Sequence, residues 1–199
     1  AIGVLDADVR IRITAQYPAG PSAETGNFNV QNAVINTFTS PTTIGTANTD
    51  YENEHVVCSG TTLTVDGTHT FASLTLQNNC TLTQTATTTT TVTRTILTIS
   101  GTTDIQSGSS VNMVGRGFTQ GRTSDGAGGV TTTGAAAGVA GGSHGGQGGG
   151  SGTLGAVYDS VLQPNDPGAG SGNATSQGGG YVKLTTASLN LVGTINANA

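Results

Sequence analysis

Three histidines, a few carboxylates and two cysteines are the residues of this chain that could do chemistry. His55, His69 and His144 are scattered along it. His69 lies between two threonines in a segment that reads as an exposed turn, and no cysteine or second histidine stands at metal-ligand spacing from it. His144 sits in a glycine patch, facing either a ligand or solvent. The carboxylates offer more. One loop, Tyr158 to Pro167, holds Asp159, Asn165 and Asp166, and oxygen ligands gathered in a loop can hold Ca²⁺. Asp6 and Asp8 form a second close pair. Neither an EF-hand spacing nor a Gly-Gly-x-Gly-x-Asp repeat accompanies them. Arg94, Arg116, Arg122 and Lys183 are not grouped with acids along the chain, as a polysaccharide-cleaving groove would require. The glycine runs lack the Lys-Ser/Thr pair of a phosphate loop. No catalytic constellation emerges, so the chain is expected not to be an enzyme. Calcium is the one cofactor its residues leave open.

Cys58 and Cys80 are the only cysteines, and the threonine-rich segments around them supply no metal ligands. A disulfide between them is the expectation, with two isolated core thiols as the alternative. A bridge implies an oxidising compartment, hence a secreted or surface location. No signal peptide, transmembrane run or lipidation motif is read in the sequence. Ala1 is expected either to follow signal-peptidase cleavage or to begin a processed fragment. Asn79-Cys80-Thr81 and Asn173-Ala174-Thr175 fit the glycan-acceptor pattern.

The partners are bounded by charge. Charged residues are 9% of the 199, against about 25% in an ordinary soluble domain. The six Lys and Arg form no patch within a net charge of −5, which argues against nucleic acid and anionic membrane. Glycine, at 32 residues, is outnumbered only by threonine, and helix formers are sparse. Such a composition favours strands and turns.

The elements follow from alternation. In residues 1–54, the segment Asp8 to Thr14 places Val9, Ile11 and Ile13 on one face and Asp8, Arg10 and Arg12 on the other. It reads as an edge strand that a neighbouring copy can take up, which makes a homopolymer the expected assembly. Residues 55–199 form the main domain. Short alternating strands are predicted at 62–67, 73–78, 81–85, 96–101, 103–108 and 110–115, most of them ending in Gly or Asn. Strands resume at 181–185, 188–193 and 194–196. Between the two sets lies a Gly-rich insertion, residues 116–180, expected to be ordered by backbone hydrogen bonds between close-packed extended segments. A valine at Gly145 or Gly149 should then disrupt it.

With one small apolar residue per inward position and little aromatic bulk, the pattern favours an all-β parallel solenoid over a sandwich. The run TLTVDGTHTFASLTLQN (62–78), the turn GRGF (115–118), the glycine patches and SLNLVGTINAN (188–198) resemble a module of secreted bacterial right-handed β-helix surface proteins. The resemblance covers residues from Val56 onward. It implies extracellular display, adhesion or matrix building and carries no catalytic motif. The expected function is a self-assembling subunit of a surface filament, sheath or adhesive appendage. A receptor- or glycan-binding adhesin is the alternative. Ice binding comes third: residues 81–85 and 87–91 are dense in threonine, but along the sequence their ranks look irregular.

Overall fold

A computed structural model describes residues 33–173 and 176–199. The expected assembly strand, with Val9, Ile11 and Ile13, lies outside the described residues, as do Asp6, Asp8 and part of the second glycan-acceptor triplet.

The described chain is all-β, with no helix, and its two main sheets are parallel throughout. Their strands enter in pairs, one to each sheet, joined by a short turn. Thus β1 (Ile35–Phe38) is followed by β2 (Thr42–Ile44), and β3 (His55–Ser59) by β4 (Thr62–Val65). After β5 (Gly67–Phe71), β6 (Ser73–Gln77) leads to β7 (Thr81–Thr83) and β8 (Thr95–Ile105) to β9 (Ser110–Asn112). In the insertion, β10 (Thr123–Ser124) and β11 (Val130–Thr131) form a small antiparallel pair. Finally β12 (Val182–Leu191) leads to β13 (Thr194–Asn196). The six-stranded sheet runs β1-β3-β6-β8-β12, with β5 also on β8; the five-stranded sheet runs β13-β9-β7-β4-β2. The ladders begin at Ile35, ahead of the domain boundary expected at His55.

The turns explain why the strands stop where they do. Gly60, Asn78, Asn79 and Gly108 have φ of 68°, 54°, 63° and 80° and lie between β3 and β4, β6 and β7, and β8 and β9. This left-handed region suits Gly and, among other residues, Asn. Asn78 and Gly108, predicted as strand-ending residues, are therefore in such turns. Two predicted strands, 96–101 and 103–108, fuse into the single long β8, because Gly101 stays in the ladder and donates its N–H to the Ala72 carbonyl at 2.9 Å.

Parallel pairing keeps like residues aligned. Phe38, Cys58, Leu76, Ile105 and Leu191 occupy one inward row of the six-stranded sheet. Thr42, Leu63, Leu82, Val111 and Ile195 occupy a row of the other. Their middle members pack into one buried cluster with Val56, Leu74, Leu97 and Met113. Fully burying such an aliphatic side chain is worth about 1.5–3 kcal/mol. Two buried polar groups of the main body are satisfied by backbone carbonyls: the Thr95 hydroxyl donates to the Val65 carbonyl at 2.7 Å, and the Gln84 amide to the Thr93 carbonyl at 3.0 Å. The Asn36 amide nitrogen and the Thr119 and Thr123 hydroxyls are buried without a partner among the described residues. Cys58, at the end of β3, is bonded to Cys80, just before β7, with Cα atoms 5.8 Å apart.

The Gly-rich insertion is held by backbone hydrogen bonds. Gly117 donates to Gly178, Phe118 to Gly168, Gly178 back to Phe118, and Gly168 to Gly179, all within 2.7–3.0 Å. Gly180 ties the segment to Met113 of the main body at 2.7 Å. Phe118 is its fully buried aromatic anchor. The absence of Cβ atoms matters unevenly. A Cβ on Gly178 would run into the Gly168 carbonyl, and one on Gly170 into the Thr119 carbonyl. At Gly149 it would meet nothing within 4 Å, and at Gly145 chiefly the Val161 side chain at 2.8 Å, which can shift. The expected sensitivity at Gly149 is thus displaced to Gly170 and Gly178.

Two outcomes follow. Replacing both Cys58 and Cys80 by Ser should lower stability by about 3 kcal/mol, since the bridge spans 22 residues of chain. Denaturant titration measures this, and a mass showing two free thiols in the non-reduced protein would contradict the bond. Gly170→Ala and Gly178→Ala should each cost about 1–3 kcal/mol by overpacking, while Gly149→Ala stays within about 0.5 kcal/mol of wild type. Equal melting temperatures for all three would show that the insertion does not depend on close backbone contact.

Candidate functional site

The loop singled out for calcium is built around Asp159, which has φ of 63° and a side chain only 8% exposed. Its carboxylate accepts hydrogen bonds from the backbone N–H groups of Ser160 (2.8 Å), Asn165 (2.6 Å) and Asp166 (2.8 Å). His144 Nε2 lies 3.2 Å away. Burial alone would raise the pKa of this carboxyl. The three amides and the nearby imidazole outweigh it and hold Asp159 below the usual carboxylate range. Asp166 pairs with the Arg94 guanidinium and accepts from the Ser124 hydroxyl at 2.5 Å. Arg94 Nε also donates to the Asn165 carbonyl at 2.7 Å.

Arg94 is therefore grouped with an acid, contrary to the expectation from sequence. Both carboxylates are turned toward donors of their own chain. Among the described residues, no three His, Cys, Asp or Glu side chains gather at metal-holding distance. Tyr158 closes the loop by donating to the Pro167 carbonyl at 2.6 Å, and its ring packs edge-on against His144 at 4.9 Å and Phe118 at 6.2 Å. Burial, reinforced by Asp166, pushes its phenol well above the ordinary value. The adjoining hollow, between His144, Asp166 and Tyr181, has about 290 Å³. That is the bottom of the ~300–1,000 Å³ range of small-molecule sites.

The other histidines are structural. His69 is in β5, not in an exposed turn, and is 2% exposed. Its Nδ1 meets Glu52 at 2.7 Å and its Nε2 the Asp66 carbonyl at 3.1 Å, so neither nitrogen is left for a ligand. The same Glu52 accepts the Thr70 N–H at 2.6 Å, fastening the 49–54 turn to β5. The alternation Gly67-Thr-His-Thr-Phe71 carried the signal for a strand; His69 takes an inward place beside Phe71. His55 Nδ1 lies 2.7 Å from the Ser73 hydroxyl across β3 and β6.

Comparison with family models, curated proteins and solved structures yields no match.

The geometry draws attention to the β12–β13 end. The inward rows buried elsewhere run out there into Leu189, Leu191 and Ile195, which are 47%, 47% and 41% exposed. Val192 in the connecting turn is 64% exposed. Both strands are last in their sheets, so the outer sides of β12 and β13 have no partner strand among the described residues. At the opposite end, β1 and β2 are the last strands among the described residues, and Phe38 is half-covered by the Tyr51 ring at 5.2 Å. These apolar positions gave little signal in the sequence, because they look like ordinary inward residues; what marks them is that no described residue covers them.

For the Asp159 loop, a depressed folded pKa means stabilisation that is present above the unfolded value, about 3.9, and lost as pH falls through the folded value. The wild type should therefore lose stability on acidification below about pH 4 more steeply than Asp159→Asn, and be the more stable of the two at pH 7. Thermal melts of both proteins from pH 7 to pH 2 test this. Parallel curves would show that Asp159 is not held as an anion.

Proposed function

We propose that the protein is a non-catalytic, extracellular structural subunit, a β-solenoid of repeated strand–turn–strand units that assembles end to end into a surface filament, sheath or adhesive appendage. The uncovered β12–β13 end carries this reading. Every strand of the two main sheets runs in the same direction as its partners, so the β12–β13 edge accepts the β1–β2 edge of a second copy without reversing any ladder. The added pair would lay its inward residues over Leu189, Leu191 and Ile195. An interface joining two different edges does not close on itself, and it propagates into a filament.

Magnitudes support the ladder as the driving contact. Covering four half-exposed aliphatic side chains returns about 1 kcal/mol each. Association costs roughly 4–15 kcal/mol in lost freedom. Backbone hydrogen bonds, at about 0.5–1.5 kcal/mol each, must supply the rest, and the ten-residue β12 offers the longest free edge for them. The disulfide is compatible with an oxidising extracellular compartment. Among the described residues no helix is long and apolar enough to cross a membrane. The resemblance to secreted β-helix surface proteins points the same way.

Wild-type protein should form high-mass, elongated particles on concentration, seen by electron microscopy and light scattering. Leu189→Lys combined with Leu191→Lys should leave a folded monomer with unchanged circular dichroism. Deleting Ala1 to Thr14 separates two donors. Assembly by β1–β2 survives the deletion; assembly by the Val9, Ile11, Ile13 strand is lost with it while the remainder stays folded. A wild type that stays monomeric at high concentration would refute end-to-end assembly.

A further inference from the structure

The outer face of the five-stranded sheet has a regularity that its sequence conceals. Thr62 pairs with Thr81, Thr81 with Ser110, and Ser110 with Thr194, so four hydroxyls stand in one rank across four adjacent strands. Two residues along, Thr43 pairs with Thr64 to begin a second rank. Along the chain the separations between rank members are unequal, because the 86–94 loop and the Gly-rich insertion fall between them. Strand pairing removes that inequality. The ranks follow the sheet's own periods, about 4.8 Å from strand to strand and about 6.6 Å between alternate residues of one strand.

Three further observations bear on what such a face can bind. The five strands read TTI, TLTV, TLT, SVN and TIN, without a charged or aromatic residue. The outer face of the six-stranded sheet, by contrast, carries His55, Asp104 and Lys183. The ranked residues are exposed or half-exposed, whereas buried Thr83 and Thr95 direct their hydroxyls to the carbonyls of Asn112 and Val65. Thr83 thereby interrupts the second rank and leaves the first continuous. Finally, threonine is stiff at χ1, so its hydroxyl and methyl repeat with the backbone and lose little freedom on contact.

We infer that this face binds an ordered water lattice, the surface of an ice crystal. Each hydroxyl is both donor and acceptor, as is each lattice water, and the methyls add apolar contact between them. The lattice is neutral, and so is the face. The two spacings are on the scale of the oxygen repeats of ice, so one orientation lets the whole rank bond at once. A polysaccharide surface would be gripped by aromatic rings and charged or amide side chains; the first rank has none of these, and the only amides of the five strands, Asn112 and Asn196, stand in the interrupted second rank. The inference concerns the isolated subunit and does not depend on end-to-end assembly, although stacked copies would lengthen each rank and raise avidity.

The test is growth of polycrystalline ice from a dilute solution of the purified full chain, with protein measured in the ice and in the remaining liquid, and the shape of single crystals recorded. Wild type should enter the ice and facet the crystals. Thr62→Lys combined with Thr81→Lys should lose both effects and be excluded like an inert protein, with its melting temperature unchanged. Thr75→Lys combined with Thr98→Lys, on the other sheet's outer face, should retain both effects. So should the Leu189→Lys, Leu191→Lys monomer, which separates this inference from assembly. Exclusion of the wild type from ice overturns the inference. So does unchanged uptake of the Thr62, Thr81 variant, or equal loss in the variants of both faces.

Discussion

A parallel ladder that holds its register places like residue over like residue, and the other features of this protein depend on that alignment. Inward rows become a continuous apolar cluster although no layer contributes more than a few aliphatic side chains. Turn residues recur at the same place in successive layers. With so little aromatic bulk, the chain could not offset its conformational entropy by side-chain burial alone; hydrogen bonds running from layer to layer make small rows sufficient. The Gly-rich insertion applies the same solution in irregular form, carbonyl to amide across segments too close to admit a side chain.

The same alignment creates the apolar end. A row that is buried in the middle of a stack is necessarily exposed at its last member, unless a cap or another chain covers it. Among the described residues, Phe38 and Tyr51 partly meet that need at one end, while Leu189, Leu191 and Ile195 leave it unmet at the other. Outward positions carry no such requirement, which is why threonine, serine and asparagine can occupy them freely.

The strands legible in the sequence were those with strict alternation, most with a Gly or Asn stop: β4, β6, β7, β9 and β13 fall within the predicted segments. β5 was hidden because histidine between threonines looks solvent-seeking, and its burial is made tolerable by the Glu52 carboxylate, 17 positions away, together with the Asp66 carbonyl. The pairing of Arg94 with Asp166 was equally invisible, since 72 positions of chain separate the two. The disulfide was legible because two cysteines leave one pairing. Register was not, and with it went both the exposed end and the ranks of hydroxyls. Alternation tells which face a residue takes; it does not tell which residue stands beside it on the next strand.

The bond between Cys58 and Cys80 also has a mechanical side. In a filament of the kind proposed, load would enter through strand edges and pass along the chain. The residues between the two cysteines are closed into a covalent loop, so a pulled chain cannot lengthen through them. At roughly 3.4 Å per extended residue, 22 positions of separation withhold about 75 Å of extension. The chain from β4 through β6 would therefore yield less than the Gly-rich segment, which no covalent link spans, and under tension that segment would give before it.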